Sequence, residues 1–347
     1  MENSLKILAN SLAGIFAIVF VVSTAIAFAL FSVEQSVFDA ELYIQALDEE
    51  SVYQRLPELT AHALAIAAQG PERNTLLSLF GTLSEDEWRS IVVELFPPDV
   101  LKSLTEDTVT QIIAYLNGES NNAVLSLASI KTHLQSPEGV GAVYGILKAQ
   151  PDCSVEQLTA MALNQESLAL CNPPDSFLLF DLRPIIETEI RAAMSLIPDQ
   201  VTIITADESR IQTLRDLKAL RLFMRLSPLV PAFCLLAIIA LAVRSFNDWL
   251  NWWGYPLLFA GLISMSLSVI SGPVASLTFQ IFIGSALPDA LPPEIVSVFK
   301  ELTATIVRKA LQPTLLVAGL MALLGLVMVA MTFLFRIRLQ KSPAYYR

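Results

Sequence analysis

Four stretches of the chain lose their charged side chains altogether: residues 12–31, 226–243, 255–272 and 314–335 contain no Asp, Glu, Lys, Arg or His. At a rise of about 1.5 Å per residue, runs of this length cover the roughly 30 Å hydrocarbon layer of a bilayer, so the pattern predicts four transmembrane helices. Residues 32–225 behave differently. Charged and apolar positions there alternate with a helical period, which predicts a large, mostly helical domain outside the bilayer with at most a small β element. The fold class is therefore an all-α membrane protein.

The approach to the second span carries the densest information. Ile211, Leu214, Leu217 and Arg221 keep a helical spacing over residues 207–225, and Arg210, Arg215, Lys218, Arg221 and Arg225 place five positive charges there. Polarity then stops at Leu226, with Pro228 and Pro231 in the first turns, where a missing backbone N–H costs least. This reads as a stalk helix feeding a membrane helix. A second amphipathic helix is expected over 293–311, with Ile295, Val296, Phe299, Leu302 and Ile306 on one stripe, and Pro313 opens the fourth span. Pro228 and Pro313 are the hinge candidates. Ser195, Pro198 and Asp199 match Ser285, Pro288 and Asp289 in spacing, so span, loop, stalk and proline form an internal repeat, or two interfacial helices resemble each other by chance.

Local signals fill in the outer domain. Ser84 with Glu87 and Ser154 with Gln157 form capping boxes, Ser136 before Pro137 starts a helix, and Pro97 with Pro98 ends one. A helix is expected after Thr105, stopped at Gly118. Val124–Leu127 and Val201–Ile204 are short strand candidates.

Composition sharpens this division. Apolar residues make up 54% of the chain and its net charge is −11. Between Ser32 and Leu222 stand 28 acidic and 12 basic residues, so the outer domain is acidic and nucleic acid is not an expected partner. Orientation follows from basic residues near the spans. Lys6 precedes the first span, six acids and no Lys or Arg follow it within twenty residues, and Arg336, Arg338, Lys341 and Arg347 follow the last. The expected topology is a multi-pass plasma-membrane protein: cytoplasmic residues 1–11, a cytoplasmic turn at 244–254, an outer loop at 273–313 and a cytoplasmic tail at 336–347. Ala25 and Ala27 would suit a signal-peptide cleavage site, but the apolar run continues through Phe31, which favours an uncleaved anchor.

Of three cysteines, Cys234 lies in a span. Cys153 and Cys171 are expected to form a disulfide if their domain is outside the cytoplasm; two buried thiols are the competing reading. Trp249, Trp252 and Trp253 have the composition of an interfacial belt, or of an aromatic ligand box. Ser264, Ser268 and Gly272, and Ala318, Ala322 and Gly325, are small residues spaced to let helix backbones approach.

Catalytic groupings give no positive signal. His62 and His133 are far apart in sequence, Gly139, Gly141 and Gly145 follow no clear strand, and the acids at 48–50 and 85–87 lack the alternating pattern of a calcium loop. No cofactor or metal is expected. The expected role is non-enzymatic: a sensing, scaffold or interaction protein whose acidic outer domain meets a protein partner and whose two stalks couple it to the bilayer. In layout, four spans with a large outer domain between the first two, the chain resembles the permease subunits of ABC mechanotransmission systems. That resemblance implies a separate ATPase and carries no site residues.

Overall fold

The computed structural model of the chain describes residues 2–69, 84–162, 171–172, 174, 183–205, 208–283 and 293–340. The described elements run in order from a 36-residue helix, α1 (Glu2–Val37). Then follow α2 (Ala40–Glu49), α3 (Val52–Gln69), α4 (Glu85–Leu95), α5 (Pro98–Asn117), β1 (Asn122–Ser126), α6 (Ala128–Leu134), α7 (Pro137–Lys148), α8 (Val155–Ala162), α9 (Arg183–Leu196) and β2 (Gln200–Thr205). The chain continues as α10 (Glu208–Leu226), α11 (Leu229–Ala242), α12 (Phe246–Thr278), a π-helical turn at Phe279–Ile283, and α13 (Pro293–Gln340). These fall into two compact units, one of Met1–Leu42, Glu208–Leu287 and Phe299–Arg347, the other of Tyr43–Asp207 and Pro288–Val298.

In the second unit the helix ends follow from local chemistry. Ser84 caps α4 by accepting from the Glu87 N–H, while the Glu87 carboxylate accepts from the Ser84 N–H at 2.7 Å. Ser154 and Gln157 make the same exchange at α8, and the Ser136 hydroxyl accepts from the Gly139 N–H at α7. Gly118 ends α5 in the left-handed region at φ 74°, where a side chain would be strained. One expectation shifts. Pro97 and Pro98 separate two helices and also open the second, so Thr105 lies within α5 and returns its hydroxyl to the Leu101 carbonyl.

Around one core, Ala61 and Ala65 of α3 meet Trp88, Ile91 and Val92 of α4, with Ile146 of α7 packed against them. A second core joins Val140 and Leu147 of α7 to Ile186 of α9. The small β element is present. β1 and β2 pair antiparallel with Val124 opposite Thr202, and the register shifts between Ala123 and Val124.

Among the described residues four helices are long and apolar enough to cross a membrane, spanning Lys6–Val37, Gln212–Ala242, Phe246–Phe282 and Pro293–Phe335. Each stretch is longer than its uncharged run, and in the second it is made of α10 and α11 together. The two prolines behave differently. At Pro228 the helix is interrupted: α10 ends at Leu226 and Pro228 caps α11. At Pro313 it is not, and α13 continues for 48 residues with the proline inside. The residues expected to form a turn before the third span are mostly helical, since α12 starts at Phe246 with Ser245 accepting from the Asp248 N–H at 3.2 Å. Ser285, Pro288 and Asp289, the second copy of the repeated motif, lie outside the described residues, as do Asp207 and Lys341–Arg347.

Candidate functional site

The first unit encloses a carboxylate. Glu34 stands near the end of α1, three residues past the uncharged run, and is only 3% exposed. Its Oε1 accepts from the Arg225 Nε at 2.8 Å and from the Arg221 Nε at 3.3 Å. Arg221 and Arg225 are one helical turn apart on α10, so both guanidiniums reach the same side. The Arg221 guanidinium also lies 4.0 Å from the centre of the Phe38 ring, a cation–π contact. Phe31 and Glu34 lie three residues apart on α1, and Phe38 follows directly after its last residue, Val37. Together with Gln35 and the two arginines they line a cleft of about 400 Å³.

Other side chains tie the same level of the unit together. Ser32 and Thr314 share a 2.6 Å hydroxyl bond, and Thr314 also donates to the Phe28 carbonyl at 3.4 Å. Ser36 donates to the Ala310 carbonyl at 3.3 Å, and Ser268 to the Leu311 carbonyl at 2.8 Å. Both acceptors lie in the turn before Pro313, whose ring nitrogen has no proton to give to the preceding turn. Hydroxyls from two other helices thus bind the backbone where the proline disturbs it, as membrane helices require. At the other proline, the Ser227 hydroxyl lies within hydrogen-bond reach of the Met224 carbonyl at 2.7 Å and the Ala27 carbonyl at 3.3 Å.

Small residues join α12 to α13. Leu250, Gly254, Leu257, Gly261, Ser264, Ser268 and Ser271 are all buried and alternate four- and three-residue steps, the heptad pattern of a left-handed helix pair. A Cβ on Gly261 would lie 2.6 Å from the Ala322 nitrogen, and one on Gly325 would lie 2.4 Å from the Leu258 nitrogen. Gly254 meets Val329, Gly261 meets Ala322 and Gly272 meets Arg308, so the two helices run antiparallel. Ala318, Ala322, Gly325, Ser268 and Gly272 all sit in this contact, and Ser264 is buried on α12 in the same heptad pattern. Sequence reading missed Gly254 and Gly261; their seven-residue spacing, continued by Ser268, was the available signal.

The tryptophans divide. Trp249 and Trp253 pack against the core of Phe20, Cys234, Leu250, Leu257, Ala260 and Met328, with their rings 5.5 Å apart. Among the described residues the enclosed indole N–H of Trp253 has no hydrogen-bond partner, and the ring packs into the bundle. Trp252 is half-buried.

In the second unit the singled-out residues have structural partners. Cys153 and Cys171 lie at disulfide distance, with sulfurs 1.97 Å and Cα atoms 4.9 Å apart, beside a short bridge between Asp152 and Asn172. His62 Nδ1 lies 3.2 Å from Glu85 Oε1, and His133 Nε2 lies 2.8 Å from the Glu94 carbonyl. Asp48 takes the Lys102 ammonium at 2.8 Å, and that ammonium lies 5.8 Å from the Tyr53 ring centre. Among the described residues no group of three His, Cys, Asp or Glu could hold a metal ion.

The Glu34 cluster brings a buried carboxylate, two guanidiniums and a cleft together. It can hold α10 against α1, and it can meet an anion. Comparison with protein-family models, with characterised proteins and with solved structures found no match for this chain.

Proposed function

We propose that this chain is a non-enzymatic interaction protein of the plasma membrane, with both termini on the cytoplasmic side. Its acidic outer domain engages a protein partner, and two stalk helices carry that engagement to the membrane helices. One observation supports the reading above others: Arg221 and Arg225 of the stalk α10 grip the buried Glu34 of the first span. A stalk tethered in this way moves with the span it touches, whereas a flexible linker would not transmit anything.

The test is photo-crosslinking in native membranes from the exposed side chains of Asp86 and Glu119. A discrete protein adduct from at least one position is the expected result, and no adduct from either counts against the reading. A cytoplasmic ATPase that co-purifies in mild detergent would replace it with the permease-like one.

A further inference from the structure

We propose that the cleft beside Glu34 binds the phosphate of an anionic phospholipid, held by the two arginines. The proposal rests on the four apolar helices lying in a bilayer and not on any partner of the outer domain.

The level of the cleft is fixed by the register of three uncharged runs. Glu34 lies three residues beyond the run 12–31, and its partner Arg225 directly precedes the run 226–243. Ser32 is bonded to Thr314, the first residue of the run 314–335. Three apolar runs therefore end together at the cleft, and in a bilayer that is where hydrocarbon gives way to headgroup phosphates.

Charge and shape then select the ligand. One carboxylate and two guanidiniums line the cleft. Guanidinium forks match the geometry of phosphate oxygens and bind them through two parallel hydrogen bonds. Glu34 is buried and takes the Nε of Arg225, while the Arg225 side chain as a whole is 60% exposed and available to the cleft mouth. Gln35 adds an amide to the lining, and Phe31 and Phe38 supply apolar walls. A volume of about 400 Å³ accommodates a phosphate with its glycerol but not the acyl chains. Those have a place outside it, because Phe223, Leu226, Leu229 and Val230 form an exposed apolar surface on α10 and α11 next to Arg225.

The test is native mass spectrometry of the full-length protein, released from vesicles of phosphatidylcholine and phosphatidylglycerol in equal amounts. Phosphatidylglycerol should be retained in preference to phosphatidylcholine. Arg225→Gln should weaken that retention about fivefold, the effect of one basic residue near an anionic surface. Arg225→Lys should keep part of it, since the charge remains and the fork is lost. Gln35→Glu, which leaves the ion pair intact and adds a negative charge to the lining, should reproduce the loss and serves if Arg225→Gln does not fold. Equal retention of the two lipids, or unchanged retention in both Arg225→Gln and Gln35→Glu, overturns the proposal. Displacement of the lipid by inorganic phosphate overturns the lipid as the source and leaves a site for free phosphate.

Discussion

The Glu34 carboxylate accepts a 2.8 Å hydrogen bond from Arg225, a residue 191 positions further along the chain. This contact joins the end of α1 to the end of α10 and gives a side chain that is only 3% exposed its partner. Glu34→Gln removes the charge that holds Arg221 and Arg225 side by side. Breaking a fully buried pair costs about 3–5 kcal/mol; with Arg225 largely exposed, a loss of about 1–3 kcal/mol is expected. Thermal unfolding in detergent measures it, and a double-mutant cycle with Arg225→Gln should show that the two changes are not additive.

Gly261→Ala should destabilise the membrane unit by about 1–3 kcal/mol, because backbone must move to admit the new methyl group. Gly319→Ala is the matched control: its Cβ would meet only the Met265 sulfur, at 3.9 Å. Equal melting temperatures for the two variants would contradict the close approach of α12 and α13.

Cys153 and Cys171 should resist thiol labelling until the protein is reduced, and then both should react. Losing the cross-link, which closes a sequence separation of 18, should cost about 3 kcal/mol on a chain-entropy argument. Immediate labelling of both in intact protein would refute the bond.

Tyr53 offers a pH readout outside the membrane unit. Burial, with the nearby charges of Glu106 and Asp48 adding to it, pushes its phenol from 10.0 up to about 12. The unfolded chain then gives up this proton first as pH rises, so the stability that depends on the neutral phenol is intact below pH 10 and is lost progressively between 10 and about 12. Tyrosinate absorbance should show late-titrating phenols, since burial also raises Tyr43, and Tyr53→Phe should remove one of them.

Topology can be checked with single cysteines placed at Asn247 and at Ser120. They should react with an impermeant reagent from opposite sides of the membrane, and reaction from one side alone would refute the proposed arrangement.

What the sequence discloses is mostly what neighbours along the chain decide. The capping box at Ser84 and Glu87 needs four consecutive residues, and the apolar runs need only their own composition, so both are legible. The burial of Glu34 is not, because it depends on two arginines that stand 187 and 191 positions further along the chain; before folding it counts as one more acid after an apolar run. Gly254 and Gly261 are hidden for another reason. Three tryptophans and an aspartate make the stretch before Tyr255 look like a turn, which breaks up the seven-residue spacing that continues through it. The tryptophans themselves show that composition places a ring near an interface without saying which way it faces.

Pro313 gives the bundle a property that neither proline nor helix has alone. A kinked helix by itself bends freely about the point where its backbone bond is missing. Here the adjoining carbonyls are held by Ser36 of α1 and Ser268 of α12. The turn before the proline is therefore bonded to two segments distant in the chain, so a change of angle there must break these two hydrogen bonds or carry α1 and α12 with it.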